Sequence, residues 1–272
     1  MKNHIKHLLF LLQCLIVALI FYSLSRLVFF FYTSELFPQI YEDGILKAFW
    51  QGIRFDLSAF AYLNILFILL LVFPTRKREK RAYQKLLKYL FIVFNGFAIL
   101  LNLADIVNVQ FTGKRMTSEI FSFLLQGDDA NHVAGDFIKD YWFLFIVFVF
   151  LLVGMSKLFK LIQEHQFFLN RSNLSWKAYP ISLMVLGLSV LAMRGGTQLR
   201  PIKNIHASYY GQGKYVPLIL NTPFSILSTL GEKGIQEKKY FKPEIARSYF
   251  NAEKKFESDS ANKKNVVVII LE

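Results

Sequence analysis

Five long blocks of apolar residues are the feature that most limits what this chain can fold into. A helix needs about 20 predominantly apolar residues to cross the hydrocarbon core of a bilayer, with a range of roughly 17–25. Backbone groups in that core must be bonded within the segment, so the blocks are predicted to be α-helices. The fifth is the shortest, but Trp176 and Tyr179 flank it as interfacial aromatic residues do. The blocks occupy residues 8–32, 57–73, 89–109, 141–161 and 178–193.

The net charge of +13 is distributed unevenly between the segments that join these blocks. Residues 75–88, which we name the basic segment, carry seven cations against the single acid Glu79. The segment between blocks one and two and the segment between blocks three and four each carry fewer cations. Cytoplasmic segments of membrane proteins are rich in Lys and Arg. This pattern predicts a multi-pass protein of the cytoplasmic (inner) membrane, with its N-terminus cytoplasmic, five crossings and its C-terminus outside. It also accounts for the positive charge without a nucleic-acid partner.

The chain changes character after residue 194. We predict a membrane domain of residues 1–194 and an extracytoplasmic helical linker of residues 195–264. Within the linker, residues 217–230 form an interrupted apolar stretch that is expected to lie as an amphipathic helix in the outer interface. Residues 241–256 are expected to contain a short helix that opens at Pro243.

The last eight residues, 265–272, read Asn-Val-Val-Val-Ile-Ile-Leu-Glu. A short β-branched run after a polar segment predicts a buried strand of a parallel sheet. Ligands of such sheets bind beyond the carboxyl ends of the strands, which is where Glu272 falls. The expected fold is therefore a membrane all-α domain with five transmembrane helices, a helical linker, and the first strand of a truncated α/β domain.

Topology and terminal strand together resemble the lipoteichoic acid synthase family, and more closely its sulfatase-like members in Gram-negative Bacteroidetes. These are membrane-anchored phosphoglycerol transferases of the alkaline phosphatase and sulfatase superfamily. The internal segments that carry the resemblance are residues 52–59 (Gly-Ile-Arg-Phe-Asp-Leu-Ser-Ala), Ala104-Asp105 with Lys114-Arg115, Arg194-Gly195-Gly196, and residues 220–224 (Leu-Asn-Thr-Pro-Phe).

The resemblance implies an enzyme that moves a phosphoglycerol group from a lipid such as phosphatidylglycerol to a glycan or lipid acceptor. It implies that Glu272 is a ligand of a divalent metal, manganese or else magnesium; taken alone, Glu272 is only an acid at a strand end. Hard carboxylate ligands suit such ions, which neutralise charge on a reacting phosphate. The threonine nucleophile and remaining ligands are expected beyond residue 272, so residues 1–272 alone are predicted to be inactive.

Two other functions remain open from the sequence. A membrane-anchored sulfatase or phosphodiesterase would use the same fold with water as the acceptor. A non-catalytic transporter or sensor would need polar residues at mid-depth in several spans, and Asn64, Asn95 and Asn102 are the candidates.

Charged residues recur near the predicted outer ends of the spans. Ionisable groups within a membrane normally face the bundle or a wet cavity. One hypothesis is a lipid-headgroup site formed by Arg54, Asp105 and Arg194, because an arginine fork matches a phosphate. The alternative is a set of interhelical pairs, such as Arg54 with Asp105, together with cations whose side chains extend to the interface. Arg26 and Asp56 are the other two charged residues near the predicted outer ends of the spans.

Overall fold

The structure is a computed structural model that describes residues 2–38, 40, 44–121, 139–166, 176–209, 213–232, 240–250 and 268–269. The chain divides into two compact units, Met1–Leu230 and Gly231–Glu272. The helices are α1 (Lys2–Thr33), α2 (Ile45–Leu63), α3 (Ile65–Val72), α4 (Arg81–Thr112), α5 (Trp142–Gln166), α6 (Ala178–Arg194), α7 (Val216–Ile219), α8 (Thr222–Thr229) and α9 (Pro243–Tyr249).

Helices α1, α4 and α5 are each long and apolar enough to cross a membrane, and the pair α2–α3 makes a fourth candidate. The prediction of an all-α multi-pass membrane protein is thereby confirmed. Helix α4 begins at Arg81, so the cations at positions 81, 85 and 88 of the basic segment stand on its first two turns.

Four phenylalanines join the spanning helices at the end of the bundle nearest the basic segment. Phe91 of α4 stacks on Phe159 of α5 with ring centroids 4.9 Å apart. Phe10 of α1 meets the same ring edge-on at 5.4 Å, and Phe67 of α3 lies 5.5 Å from Phe91. All four side chains are buried, and aromatic pairs of this geometry add to the packing between helices.

The second predicted span differs from the structure in its start and in its shape. The apolar block at 57–73 corresponds to the end of α2 and the whole of α3, which meet at Asn64 with a bend of 69°. Helix α2 itself begins at Ile45, well before the apolar block. The Asn64 Nδ2 atom lies 3.1 Å from the Phe60 carbonyl and also bonds across the bundle, so this side chain stabilises the break.

Asn64 and Asn95 form a reciprocal pair of amide hydrogen bonds inside the bundle. Asn95 Nδ2 donates to Asn64 Oδ1 at 2.8 Å, and Asn64 Nδ2 donates back to Asn95 Oδ1 at 3.1 Å. The Tyr22 hydroxyl donates to the same Asn95 oxygen at 2.8 Å. The pair therefore links the bend between α2 and α3 to helices α1 and α4.

We expect Asn95→Leu to lower the free energy of unfolding by about 0.6–1.7 kcal/mol, the range for interhelical hydrogen bonds inside membrane proteins. The variant leaves the Asn64 amide and the Tyr22 hydroxyl without their partner. Unfolding of purified protein in bicelles measures the loss. The double variant Asn64→Leu/Asn95→Leu should lose less than the sum of the single variants, because the two residues share one interaction. Strictly additive losses would contradict the pair.

The fifth predicted span is helix α6, whose bounds agree with the apolar block at 178–193 to within one residue. Its 17 residues extend about 25 Å, less than the roughly 30 Å thickness of the hydrocarbon core. Only Ala178 and Ser182 are buried within it. The number of crossings therefore depends on how the bent pair and this short helix lie in the bilayer.

The segment after α6 packs against the membrane helices and belongs to the same compact unit as far as Leu230. We name residues 216–229, which comprise α7 and α8, the docked segment. The prediction that it lies in the interface is wrong, because its side chains from Pro217 to Ile226 are buried against the helices. Helix α7 is apolar on every face, and the polar face of α8 is buried as well as its apolar face, since Thr222 and Ser225 are both fully buried.

Within the described part of the second unit, helix α9 begins at Pro243 as predicted. The predicted terminal strand falls almost entirely outside the described residues, which include only Val268 and Ile269 of it. No strand occurs among the residues that the structure describes.

Candidate functional site

Asp105, one of the three residues predicted to bind a lipid headgroup, lies in a buried cluster with Arg115. Arg115 Nη1 is 3.3 Å from Asp105 Oδ2, and the Thr222 hydroxyl donates to the same oxygen at 2.6 Å. The Met116 backbone N–H and the Asn108 amide donate to Oδ1 at 3.0 and 3.1 Å. With 0% exposure and four donors, the Asp105 carboxylate has no open face for a lipid headgroup.

Arg115 is held by four different groups just beyond the end of α4. Its Nε donates to the Pro217 carbonyl at 2.7 Å, and Nη1 donates to Thr222 Oγ1 at 3.1 Å. The guanidinium carbon lies 3.6 Å from the centre of the Phe29 ring, in a cation–π contact. Burial lowers the pKa of Arg115 to about 10, and the Asp105 carboxylate opposes that shift. The side chain therefore remains charged at neutral pH.

A second buried ion pair joins α1 to α2. Arg26 Nη1 donates to Asp56 Oδ2 and Arg26 Nη2 donates to Asp56 Oδ1, each at 2.6 Å, which is the bidentate arrangement of a guanidinium and a carboxylate. Asn221 Nδ2 donates to Asp56 Oδ1 at 2.6 Å, and Arg26 Nη2 reaches the Ile219 carbonyl at 3.3 Å. Both charged side chains are 2% exposed or less.

Gly52 makes room for the arginine of this pair. A Cβ atom built at that position would lie 2.6 Å from the Arg26 guanidinium carbon. Gly52 precedes Asp56 by one helical turn, so the arginine fork crosses over the glycine to reach the carboxylate. The pattern Gly-x-x-x-Asp in residues 52–56 thus has a steric cause.

Asn221 and Thr222, at the start of α8, bridge the two ion pairs. Asn221 Oδ1 accepts from the Phe224 backbone N–H at 2.7 Å and so caps the helix, while its amide bonds Asp56. The Thr222 N–H donates to Asn102 Oδ1 at 3.0 Å. We call the resulting set the clamp, because it fixes the docked segment to α1, α2 and α4. Its members are Arg26, Asp56, Asp105, Arg115, Asn221 and Thr222.

Arg54 and Arg194, the other two predicted headgroup residues, meet at the turn that follows α6. Arg54 Nε donates to the Gly195 carbonyl at 2.6 Å, and its Nη2 donates to Gln198 Oε1 at 2.8 Å. Arg194 Nη2 donates to the Gln198 and Leu199 carbonyls, each at 2.9 Å. We name residues 195–199 the arginine turn.

Two glycines shape the arginine turn. Gly195 and Gly196 have φ values of +73° and +131°, which side-chain-bearing residues rarely adopt. Their N–H groups donate to the Ala192 and Leu191 carbonyls and so end α6. Both arginines are half-buried, in contrast to the fully buried members of the clamp.

The three predicted headgroup residues therefore fall at two places, Arg54 with Arg194 at the arginine turn and Asp105 in the clamp. The predicted interhelical pair of Arg54 with Asp105 is not formed, because Asp105 pairs with Arg115, which lies just beyond the end of the same helix, α4. The interhelical ion pair that does form is that of Arg26 with Asp56. The sequence alone did not predict a role for Arg115, Asn221 or Thr222. A signal for two of them was present, because Asn221 and Thr222 are the polar residues that interrupt the apolar run of residues 216–224.

Glu272, the predicted metal ligand, lies outside the described residues. Among the residues that the structure describes, no group of three or more His, Cys, Asp or Glu side chains could hold a metal ion. His4, near the start of α1, lies between Arg78 and Ser182, at 3.4 and 3.3 Å from its two ring nitrogens.

No protein-family model matches this chain, and no solved structure matches it. A proposal for its function therefore depends on the arrangement of its own residues.

Proposed function

We propose that the chain is the membrane domain of a metal-dependent phospho-group transferase that acts at the outer leaflet, as its resemblance to the lipoteichoic acid synthase family implies. One observation supports this proposal above the others. The segments that carry the resemblance are far apart in the sequence, yet residues 52–59, Asp105, Arg115 and residues 220–224 supply five of the six members of the clamp. Arg194-Gly195-Gly196 forms the neighbouring arginine turn.

The clamp suggests how such a domain would serve a catalytic domain that comes after it in the chain. It fixes the docked segment, so the chain leaves the helical unit at a defined point near Leu230. A catalytic domain tethered there would meet membrane lipids at a high effective concentration. In this proposal the membrane domain holds and orients the enzyme, and the catalytic domain performs the chemistry.

The chemical assignments rest on the resemblance. Glu272 would be one ligand of Mn²⁺ or Mg²⁺, which would neutralise charge on the reacting phosphate. Phosphatidylglycerol is the proposed donor, and a glycan or lipid is the proposed acceptor. Arg54 and Arg194 remain the proposed headgroup contacts, whereas the burial of Asp105 removes it from that role.

A transporter or sensor is less well supported by the contacts at mid-depth. Asn64 and Asn95 bond each other, and Asn102 bonds Ser25 and the Thr222 backbone. These amides are engaged in holding helices together. A hydrolase on the same fold, a sulfatase or phosphodiesterase, is compatible with the same membrane domain and differs in its acceptor.

We expect Arg194→Gln in the full-length protein to lower turnover of membrane-embedded phosphatidylglycerol roughly ten- to a hundredfold, because a charge-assisted hydrogen bond of about 1.5–3 kcal/mol is lost. Turnover of a soluble short-chain glycerophosphate ester should persist, because that substrate does not have to be drawn from the bilayer. Both rates are measured per mole of folded enzyme with Mn²⁺ present. The exposed Arg200→Gln on the same surface is the matched control.

Equal losses on the two substrates would contradict a headgroup role for Arg194. Absence of turnover of either substrate by the full-length wild-type protein would contradict the transferase itself. Accumulation of released glycerophosphate without transfer to an acceptor would favour the hydrolase.

The proposed orientation places the basic segment in the cytoplasm and the arginine turn outside. Cysteines at Lys77 and Leu199, both exposed, test it after the buried Cys14 is replaced by alanine. In cells whose outer membrane, where present, is permeabilised, a membrane-impermeant maleimide should label Leu199→Cys and leave Lys77→Cys unlabelled. After the cells are lysed, the maleimide should label both cysteines. Labelling of Lys77→Cys before lysis would overturn the orientation.

A further inference from the structure

An apolar groove of about 430 Å³ runs along the surface between α1 and α2. The stretch of α1 from Ile16 to Leu27 forms its long wall, and Phe49 and Ile53 of α2 form the other. Ser23 supplies the one hydroxyl among these side chains. Eleven residue steps of helix correspond to a length of about 16 Å, close to half the thickness of the hydrocarbon core.

The groove and the arginine turn flank the same exposed face of α2. Successive residues of a helix point about 100° apart, so Ile53 lines the groove while Arg54 bonds the Gly195 carbonyl on the other flank. Between the two flanks stand Leu46 and Trp50, which are 81% and 76% exposed. A single elongated molecule lying across this face of α2 would touch both flanks.

The chemistry of the two flanks differs as the two ends of a phospholipid do. The groove is apolar over most of its length. At the arginine turn, Arg194 donates to the Gln198 and Leu199 carbonyls, which carry no formal charge. Among the described residues, no carboxylate forms an ion pair with Arg194. Arg54 brings a second guanidinium to the same turn. Guanidinium groups match phosphate oxygens in geometry and in charge.

We propose that this face of α2 binds one anionic phospholipid, with an acyl chain in the groove and the headgroup phosphate at the arginine turn. The inference deepens the proposed function by placing the acyl chain of the lipid donor, and it rests on that function for the identity of the ligand as a substrate. The experiment measures lipid binding and not turnover, so the lipid site and the proposed enzymatic function can be refuted separately.

The experiment uses the purified chain in phosphatidylcholine nanodiscs that contain a trace of phosphatidylglycerol with a photoactivatable group at the end of one acyl chain. Phosphatidylcholine with the same labelled chain is the second probe. After illumination, adducts are mapped by mass spectrometry of peptides. We expect adducts to concentrate on residues 16–27 and 49–53, with phosphatidylglycerol exceeding phosphatidylcholine there. Arg194→Gln should abolish that excess.

Filling the groove provides a matched pair of variants. Ile20→Trp places an indole in the groove and should lower groove adducts roughly tenfold, the change that a loss of about 1.4 kcal/mol of binding free energy produces. Val153→Trp on α5 is the control, because Val153 is equally exposed, 46% against 47%, and lies outside the groove. If Ile20→Trp fails to fold, the proposal is tested by the wild-type adduct map and its comparison between the two lipid probes.

Three outcomes would overturn the proposal. Adducts spread evenly over the groove and the exposed face of α5 would mean ordinary contact with bulk lipid. Equal labelling of the groove by the two probes would show that the arginine turn does not select an anionic headgroup. Disulfide-linked dimers of Ser23→Cys, made in the Cys14→Ala background, would mean that a second copy of the chain covers the groove.

Discussion

Asp56→Ala should destabilise the helical unit by about 3–5 kcal/mol, the usual cost of removing one partner of a buried ion pair. The Arg26 guanidinium would remain 2% exposed and lose both of its 2.6 Å bonds to the carboxylate. Asn221 would lose the acceptor of its side-chain amide at the same time. Thermal unfolding of purified protein in detergent should show a midpoint lower by on the order of 10 °C.

The double variant Arg26→Met/Asp56→Leu distinguishes the charge from the packing. Replacing both partners of a buried pair by apolar residues of similar volume is often neutral or stabilising, so the double variant should regain most of the loss. Glu164→Ala breaks an exposed pair with Lys160 at 3.7 Å and should leave the free energy of unfolding unchanged within about 0.5 kcal/mol. A double variant as unstable as Asp56→Ala would show that the charge is not the cause.

Composition was sufficient to predict the spanning helices, because a run of apolar residues in lipid has few alternatives to a helix. The predicted blocks at 8–32, 89–109 and 141–161 lie within α1, α4 and α5 apart from Tyr141, one residue before α5 begins. The bend at Asn64 was not predicted, since it depends on a partner, Asn95, that is brought near only by the packing of α3 against α4.

The arrangement of the charged residues was likewise only partly predictable from the sequence. Their positions near the ends of the spans follow from the sequence, and that Arg26, Asp56 and Asp105 would be buried or paired follows from the cost of a charge in lipid. Which residue pairs with which does not follow, because Arg115 and Thr222 approach Asp105 from two different parts of the chain. The docked segment was missed for a related reason. Its apolar side chains are compatible with a membrane surface and with a protein interior, and only the polar partners of Asn221 and Thr222 distinguish the two.

Arg115→Ala should release the docked segment from the bundle. The variant removes the bonds from Arg115 to Asp105, Thr222 and the Pro217 carbonyl, together with the contact on Phe29. It also leaves the Asp105 carboxylate buried without its counter-charge. If the contact between the docked segment and the helices is weakened by about 3–5 kcal/mol, the population in which the segment is detached rises at least a hundredfold.

Ser225 offers a reporter of that opening. Its side chain is fully buried in α8 and its hydroxyl has no hydrogen-bond partner in the described part of the chain, so Ser225→Cys is a near-isosteric change. In the Cys14→Ala background, the Ser225→Cys thiol should react slowly with a maleimide, and Arg115→Ala should raise that rate roughly a hundredfold or more.

Two matched variants separate the charge of Arg115 from its shape. Arg115→Lys retains the charge and loses the planar fork, so it should give an intermediate rate. Arg200→Ala removes an exposed arginine of the same unit and should leave the rate unchanged. If Arg115→Ala lowered the unfolding midpoint while the thiol at position 225 stayed protected at room temperature, Arg115 would stabilise the bundle as a whole. The docked segment would then be held by its apolar side chains, and the clamp would have no role in fixing the point at which the chain leaves the membrane domain.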